Sequence, residues 1–244
     1  MAPGRTPRTG VLGGLEWRYL LDFMCGSPLG FWLRAAFLSL LPLFGPAGPS
    51  AVATEALPVA TFPGLAVYGG ESPRVEATGR LAEGAGDLLE FLAVENTGRT
   101  YESLLTLDCR PSGMQAALLL LGCKPHEKSG TRLVLELEWS LEGRTHRVSI
   151  EELLLERRTL KAPGPLPWIF TGSRFVRLAG AEAEVFLADA EEAFIGLYSH
   201  EGLLIQLGGD FGNPYRSTEA GFVANVGRLP PKGTPIRLVL GVRR

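Results

Sequence analysis

The residues whose types could support a hydrolytic reaction are two serines with polar neighbours. Ser103 follows Glu102 directly, and Ser173 ends the run Thr171-Gly172-Ser173. A serine nucleophile needs a base within hydrogen-bonding reach and an acid that orients this base. The chain offers three histidines as bases: His126, His146 and His200. Neither serine lies in a G-x-S-x-G motif, and no spacing pairs either one with a histidine. Catalysis by Glu102 and Ser103 is therefore the alternative to structural roles at the entry of a strand.

Metal-ligating residues are few and poorly spaced. The soft candidates follow the spacing C-x13-C-x2-H-x19-H: Cys109, Cys123, His126 and His146. Zinc sites use closer pairs, such as C-x2-C or H-x3-H. The acidic groups lack the D-x-D-x-D-G spacing of a calcium loop. Glycine-rich nucleotide motifs and C-x-x-C are also missing. We therefore predict neither a metal site nor a built-in cofactor.

Short strands between Gly-rich or Pro-rich breaks must position these residues. Alternation is clearest over Arg132–Trp139, where Leu133, Leu135, Leu137 and Trp139 share one face. We expect that face to be buried and the charged face to meet water. Strand-like runs occupy residues 65–68, 75–82, 88–95, 100–108, 132–139, 146–150, 168–171, 184–188, 193–199, 203–206, 222–226 and 236–242.

One Ala/Leu-rich segment predicts a helix over residues 112–121. Ser112 is its expected cap and Gly122 its expected stop. The segment is apolar on nearly every side after Gln115, so we expect the helix to lie buried in the core or against a sheet. Residues 151–158 suggest a second, short helix with a charged face. Together these elements predict one strand-rich α+β domain with a single buried Ala/Leu-rich helix.

The spacing of Cys109 and Cys123 indicates whether these two cysteines can form a disulfide. An oxidising compartment permits such a bond, and these two cysteines follow the apolar N-terminal segment. Ten helical residues between them would separate their ends by about 15 Å, whereas bridged Cα atoms lie within about 7 Å. A disulfide between Cys109 and Cys123 is therefore disfavoured.

The first 53 residues have the layout of a secretory signal peptide. Four basic and two acidic residues accompany the apolar run Ala35–Phe44, and the small residues Ala51 and Ala53 precede a cut at Thr54. Ten apolar residues span about 15 Å as a helix, against a hydrocarbon core of about 30 Å. Met24 would provide a more compact start. An uncleaved N-terminal anchor is the alternative, and membrane contact is expected only in that case.

Composition and charge narrow the possible functions and the domain organisation of the chain. The 244 residues carry a net charge of −2, which argues against a nucleic-acid-binding protein. We expect an extended lead-in over residues 54–63 and one folded domain over residues 64–244. Neither an internal repeat nor a low-complexity tract divides the mature part.

Three segments of the folded part resemble the YdjY-like domain family. They are TYESLLTLDCRPSGMQAALLLLGCKP, PWIFTGSRF and GFVANVGRLPPKGTPIRLVL, in the order found in the family. The resemblance covers roughly residues 64–242 and implies an exported bacterial protein of the periplasm or cell envelope, without defining its chemistry. Many members carry a histidine just before the Ala-Ala-Leu run, where this chain has Gln115. Cys109 and Cys123 occupy positions that are apolar in the family.

The function that these observations favour is an exported binding or accessory module of the cell envelope, rather than an enzyme. Its partner would be a small ligand or another envelope protein. The ligand-binding candidates lie where the family-like segments meet: Glu102, Ser103, Lys124, Thr171, Gly172 and Ser173. Lys124 follows the helix, where a cation interacts well with the terminal carbonyls. A hydrolase-like envelope enzyme using Glu102 and Ser103, or a membrane-anchored version of the domain, is the alternative.

Overall fold

Short β-strands dominate the computed structural model, which describes residues 57–82, 88–178, 180, 182–209, 211, 214 and 220–243. The described residues belong to one unit, Ala53–Arg244. The expected signal segment, the start at Met24 and the cut before Thr54 lie outside the described residues. Fifteen strands are defined within these ranges: β1 (Ala60–Phe62), β2 (Leu65–Tyr68), β3 (Arg74–Leu81), β4 (Phe91–Glu95), β5 (Ser103–Leu107), β6 (Arg132–Leu141), β7 (Arg144–Ser149), β8 (Leu154–Glu156), β9 (Trp168–Phe170), β10 (Phe175–Val176), β11 (Val185–Phe186), β12 (Ala193–Gly196), β13 (Ile205–Leu207), β14 (Phe222–Ala224) and β15 (Pro235–Val242).

Eight of these strands close into a barrel. Their order is β3-β15-β6-β9-β13-β12-β4-β5, and β5 pairs back onto β3 through Gly79 and Leu107. The described α-helices are only α1 (Pro111–Leu120), with ten residues, and α2 (Leu187–Glu191), with five. The prediction of an α+β domain is therefore wrong, and the described part is mostly β. Barrel closure depends on pairing between strands that are distant in the sequence, which hydrophobic periodicity does not encode.

The barrel interior is filled by the inward side chains of its strands. On β6, Leu133, Leu135, Leu137 and Trp139 are buried, as the alternation predicted. Trp168 and Phe170 on β9 are also buried. Burying one such large side chain contributes about 1.5–3 kcal/mol. The alternate residues of these strands, such as Arg132 and Ile169, consequently point to the outer face of the wall.

Two pairs of neighbouring barrel strands are parallel and joined by short return segments. β4 and β5 are connected through residues 96–102, and β12 and β13 through residues 197–204. Parallel neighbours are more commonly joined by a crossover of a dozen or more residues. In such short returns, side chains must satisfy many of the backbone N–H and C=O groups. Four candidate or site-forming residues lie in these returns: Arg99, Glu102, Tyr198 and His200.

Helix α1 lies against β1, β2 and α2 with one face only. Met114, Ala117 and Leu118 are buried, whereas Leu119 is 47% and Leu120 62% exposed. The helix therefore packs with one face against β1 and β2, at the edge of the sheet, and exposes the other face. Its cap differs from the prediction. The backbone N–H and the hydroxyl of Ser112 both donate to the Asp189 carboxylate, each at 2.8 Å, so α2 supplies the cap of α1.

The second expected helix, over residues 151–158, is not formed. The chain makes a short 3-10 helix at Ile150–Leu153 and then enters β8, which pairs with β14. Ile150 and Leu153 are fully buried, so tertiary packing sets this conformation. At the other end of the domain, part of the expected lead-in forms β1, which pairs with β2.

Candidate functional site

Ser103 is buried in the barrel wall at the start of β5. Its exposed fraction is 0%, and its hydroxyl donates to the carbonyl oxygen of Arg99 at 2.6 Å. This bond closes the return segment between β4 and β5. Because the hydroxyl is engaged and inaccessible, Ser103 has a structural role in this conformation.

Glu102 belongs to a buried ion cluster around Arg99. The Nε atom of Arg99 lies 3.7 Å from Glu102 Oε1, and its Nη1 lies 3.5 Å from Glu90 Oε2. The guanidinium also lies over the Phe91 ring, 4.2 Å from the centroid. Glu90 and Glu102 are each only 6% exposed. Burial raises the pKa of the neighbouring Tyr198, and the charge of Glu90 adds to this effect. The cluster fixes the return segment beneath the barrel strands.

Thr171, Gly172 and Ser173 form a tightly held turn after β9. The backbone N–H groups of Thr171 and Gly172 both donate to the carbonyl of Leu204, at 2.8 and 3.0 Å. The amide of Gln115 holds Ser173 from the other side. Its Oε1 accepts from the Ser173 N–H at 2.7 Å, and its Nε2 donates to the Ser173 carbonyl at 3.2 Å. Gln115 therefore fastens α1 to this turn.

Lys124 lies on an exposed loop after α1. Its backbone N–H donates to Thr131 Oγ1 at 2.8 Å, and its carbonyl accepts from the Thr131 N–H at 2.9 Å. His126 organises the same loop, because its Nδ1 accepts from the backbone N–H groups of Lys128 and Ser129. Lys124 thus closes the base of a loop whose outer part borders a groove.

The groove runs over the outside of β9 and β13. It has a larger lobe of about 710 Å³ and a smaller lobe of about 250 Å³. Four residues line both lobes: Glu127, Thr171, Glu201 and Gln206. Gly172 and Ser173 line the smaller lobe, whereas Glu102, Ser103 and Lys124 line neither. The structure thus brings only the Thr171–Ser173 part of the expected ligand site to this groove.

The floor of the larger lobe is a row of cross-strand neighbours. Arg132 on β6 is opposite Ile169 on β9, and Ile169 is opposite Gln206 on β13. Directly paired residues on one face have Cβ atoms about 5 Å apart. One wall is formed by Glu127 and Lys128, and the other wall by residues 199–201.

Gln206 fixes the wall that carries His200. Its Oε1 accepts from the His200 N–H at 3.0 Å, and its Nε2 donates to the His200 carbonyl at 2.7 Å. The same Nε2 lies 3.3 Å from Thr171 Oγ1, which in turn donates to the carbonyls of Leu203 and Leu204. The floor and both sides of the groove are thus held by hydrogen bonds before any ligand arrives.

His200 lines the larger lobe and is partly buried. Its Nδ1 is buried and has no hydrogen-bond partner in the described part of the chain. A buried donor without an acceptor costs about 1–3 kcal/mol, so the tautomer with the proton on Nε2 is favoured. The ring meets Tyr198 edge-on, with centroids 5.8 Å apart. Nε2 is consequently the ring nitrogen of His200 that could donate to a ligand.

The charges of the groove are partly compensated. In the smaller lobe, Arg174 lies 3.7 Å from the Glu201 carboxylate. In the larger lobe, Lys128 and Arg132 are exposed, and neither has a carboxylate within 4.0 Å among the described residues. Glu127 brings a negative charge to the part shared by both lobes. The larger lobe therefore has two cations without an ion-pair partner among the described residues.

The cysteines and the remaining histidine have local roles. Cys109 and Cys123 are both free and buried. Burial, followed by the charges of Glu95 and Asp108, raises the pKa of Cys109 to about 12, and burial raises the pKa of Cys123. His146 stacks on Trp139 with ring centroids 5.2 Å apart. Within the described ranges, no group of three or more His, Cys, Asp or Glu residues is placed to hold a metal ion.

Sequence reasoning missed Gln206, Lys128 and Arg132 as groove residues. Gln206 had one usable signal, because it is the polar position between the buried Ile205 and Leu207. Nothing in the sequence indicated that Arg132 would share a face with it two strands away. Among the residues the structure describes, no helix has the length and apolar character to cross a membrane.

Comparisons with known proteins gave no relative. No family model, no curated protein and no solved structure matches the chain. The resemblance to the YdjY-like domain family therefore stays a prediction.

Proposed function

We propose that this chain is an exported binding module of the cell envelope that holds a polar small ligand in the groove over β9 and β13. The observation that carries the proposal is the hydrogen-bonded frame of the groove. Gln206 holds both backbone groups of His200, and Gln115 holds both backbone groups of Ser173. A frame that is held in place before binding lowers the entropic cost of holding a ligand.

The polar lining supports a polar ligand. The floor and walls provide a guanidinium, an ammonium, an imidazole N–H, an amide and two carboxylates. Export is supported by the apolar run and the small residues that precede Thr54. The partner class that fits best is consequently a small molecule of the envelope.

The hydroxyl groups favour binding over hydrolysis. Ser103 is buried and donates to a carbonyl, and Thr171 Oγ1 likewise donates to backbone carbonyls. Ser173 Oγ accepts from the N–H of Ala188 at 3.1 Å. His200 Nδ1 has no acid to orient it in the described part of the chain. Hydrolysis by a serine requires a nucleophile that contacts a base, and an acid that orients this base. The described residues do not form such an arrangement.

The test is a fragment screen by heteronuclear NMR on the full chain. The fragments are neutral sugars, amino acids, dicarboxylates and inorganic phosphate. Bound fragments are expected to shift the signals of Thr171, His200 and Gln206. Ser199→Trp fills the larger lobe from an exposed wall position, and it should abolish these shifts. Ser140→Trp, at an exposed position of β6 outside the groove, is the matched control and should leave them intact.

Two results would contradict the binding proposal. One is that no fragment shifts the groove signals. The other is that the shifts persist unchanged in Ser199→Trp, because ligands would then bind elsewhere.

A further inference from the structure

We propose that the larger lobe of the groove contains a subsite for an anionic group, a carboxylate or a phosphate, formed by Lys128, Arg132 and His200. The subsite rests on the groove being the ligand site proposed above. It assigns the chemical class of the ligand and the end of the groove that recognises it.

The first argument is that the cations of the larger lobe lack the carboxylate partners that cations of the smaller lobe and of a separate groove have. Arg174 in the smaller lobe has Glu201 at 3.7 Å. Arg74 and Arg147 border a separate groove, and each has a carboxylate within 2.7 Å. Lys128 and Arg132 have none within 4.0 Å in the described part of the chain. Their charges are therefore available to an incoming anion, with which a guanidinium forms charge-assisted and often bidentate hydrogen bonds.

The second argument is the position of Arg132 in the floor. It is the first residue of β6 and lies in line with Ile169 and Gln206 across three strands. The backbone of Gly208 packs directly against the Ile169 side chain, where a larger residue would not fit. The backbone of Arg132 thus stands at the end of a paired row that also contains Gln206, whose amide is fixed.

The third argument is the donor on the opposite wall. The backbone of His200 is held on both sides by Gln206, and His200 lines the lobe. An Nε2–H group donates to anionic oxygens. Two cations and an imidazole donor lining one lobe match the needs of a carboxylate or phosphate.

Glu127 and Glu201 limit where the anion can bind. Both line the part shared by the two lobes, whereas Lys128, Arg132 and His200 line only the larger lobe. An anionic group is therefore repelled from the centre and attracted to the Arg132 end. The volume of about 710 Å³ exceeds that of a single anion, so the rest of the ligand would extend toward Glu127 and Gln206 as hydroxyl or amino groups.

The test is a titration of the full chain with inorganic phosphate and, separately, with malonate. Ionic strength is kept constant with sodium chloride, and binding is followed from the NMR signals of His200 and Gln206. We expect saturable binding of at least one anion. Arg132→Gln and Lys128→Gln should each weaken it at least fivefold. Arg144→Gln removes an exposed cation of β7 outside the groove and should leave the affinity unchanged.

The outcomes separate the subsite from the broader proposal. A preference for phosphate assigns a phosphate ester as the ligand group, and a preference for malonate assigns a carboxylate; both support the subsite. If neutral sugars shift the groove signals while neither anion saturates, the subsite is wrong and the binding function stands. Equal affinity of Arg132→Gln and the unchanged chain also overturns the subsite. If no probe shifts the groove signals, both proposals fail.

Discussion

Among single residues, Glu95 at the end of β4 is held where its charge is unfavourable. Its side chain is 15% exposed, and its Oε1 atom is buried without a hydrogen bond in the described part of the chain. Burial raises the pKa of Glu95 above 4.5, and the charges of Asp189 and Glu192 add to this effect. Arg110, 3.8 Å away, opposes it only in part. The folded state consequently holds the Glu95 proton more tightly than the unfolded state does.

Replacement of Glu95 by glutamine should stabilise the protein at neutral pH. Because the pKa is raised on folding, ionisation of Glu95 lowers stability as the pH rises from 4.5 through the folded pKa. Glu95→Gln removes this loss, and Arg110 keeps Asp189 at 3.5 Å. The Tm of Glu95→Gln should exceed that of the unchanged protein at pH 7, and the difference should vanish as the pH falls below 4.5. Glu127→Gln, at an exposed loop position, is the control. A Tm difference that grows toward low pH would contradict the assignment.

The two buried thiols should be unreactive in the folded protein. With a pKa of about 12 for Cys109 and a raised pKa for Cys123, neither is a thiolate at pH 8. Iodoacetamide should leave both unmodified in buffer and alkylate both in denaturant without reductant, as read by peptide mass mapping. Alkylation in buffer would show that the sites are open. Protection of both in denaturant would show that a disulfide joins them.

At the scale of elements, the turn between β9 and β10 depends on Gly172. Its φ is +71°, and an added Cβ would lie 2.5 Å from Pro125 Cβ. Gly122 after α1 has a similar φ of +80°, with nothing within 4 Å of an added Cβ. Gly122→Ala should therefore cost only the backbone strain, about 1 kcal/mol, whereas Gly172→Ala adds a clash that costs about 1–3 kcal/mol more. Urea unfolding of both variants measures the difference. Equal losses of stability would show that Pro125 yields without cost.

The attachment of α2 to α1 can be tested at Asp189. Its two carboxylate oxygens accept from the N–H and the hydroxyl of Ser112, which cap the first turn of α1. Asp189→Ala should lower the free energy of unfolding by about 1–2 kcal/mol. Asp189→Asn retains an acceptor for the Ser112 N–H and should lose less. Far-ultraviolet circular dichroism during urea unfolding provides both values. If the two variants are equally stable, the cap does not contribute.

The elements show how far the sequence could predict this structure. Strong alternation located β6, and strand residues occur within every interval expected to be a strand. The interval 184–188 also contains the start of α2, whose N-terminus is held by Ser173 Oγ. Such a contact comes from elsewhere in the chain and leaves no local pattern. The same reason explains why the sequence predicted only part of the groove. Thr171 could be selected as a site residue from its local sequence. Arg132 joins it in the groove only because β6 pairs with β9.

At the scale of the whole molecule, export can be tested by the mass of the mature chain. The apolar run Ala35–Phe44 and the small residues before Thr54 predict removal of residues 1–53. Protein recovered from the envelope fraction of its own host should have the mass of Thr54–Arg244. A full-length mass in the membrane fraction would contradict cleavage and support the N-terminal anchor. Recovery of the chain from the cytoplasm alone would contradict export.

The place of β15 in the ring has a consequence for the order of events during synthesis. β15 pairs with β3 along one edge and with β6 along the other, and Val239 is opposite both Glu76 and Glu136. A nascent chain that has not yet reached Pro235 lacks the strand that joins its early and middle parts. Pairing between such distant segments is slow to form. Closure of the barrel is therefore delayed until β15 has been synthesised, whatever pairs the earlier strands have already formed.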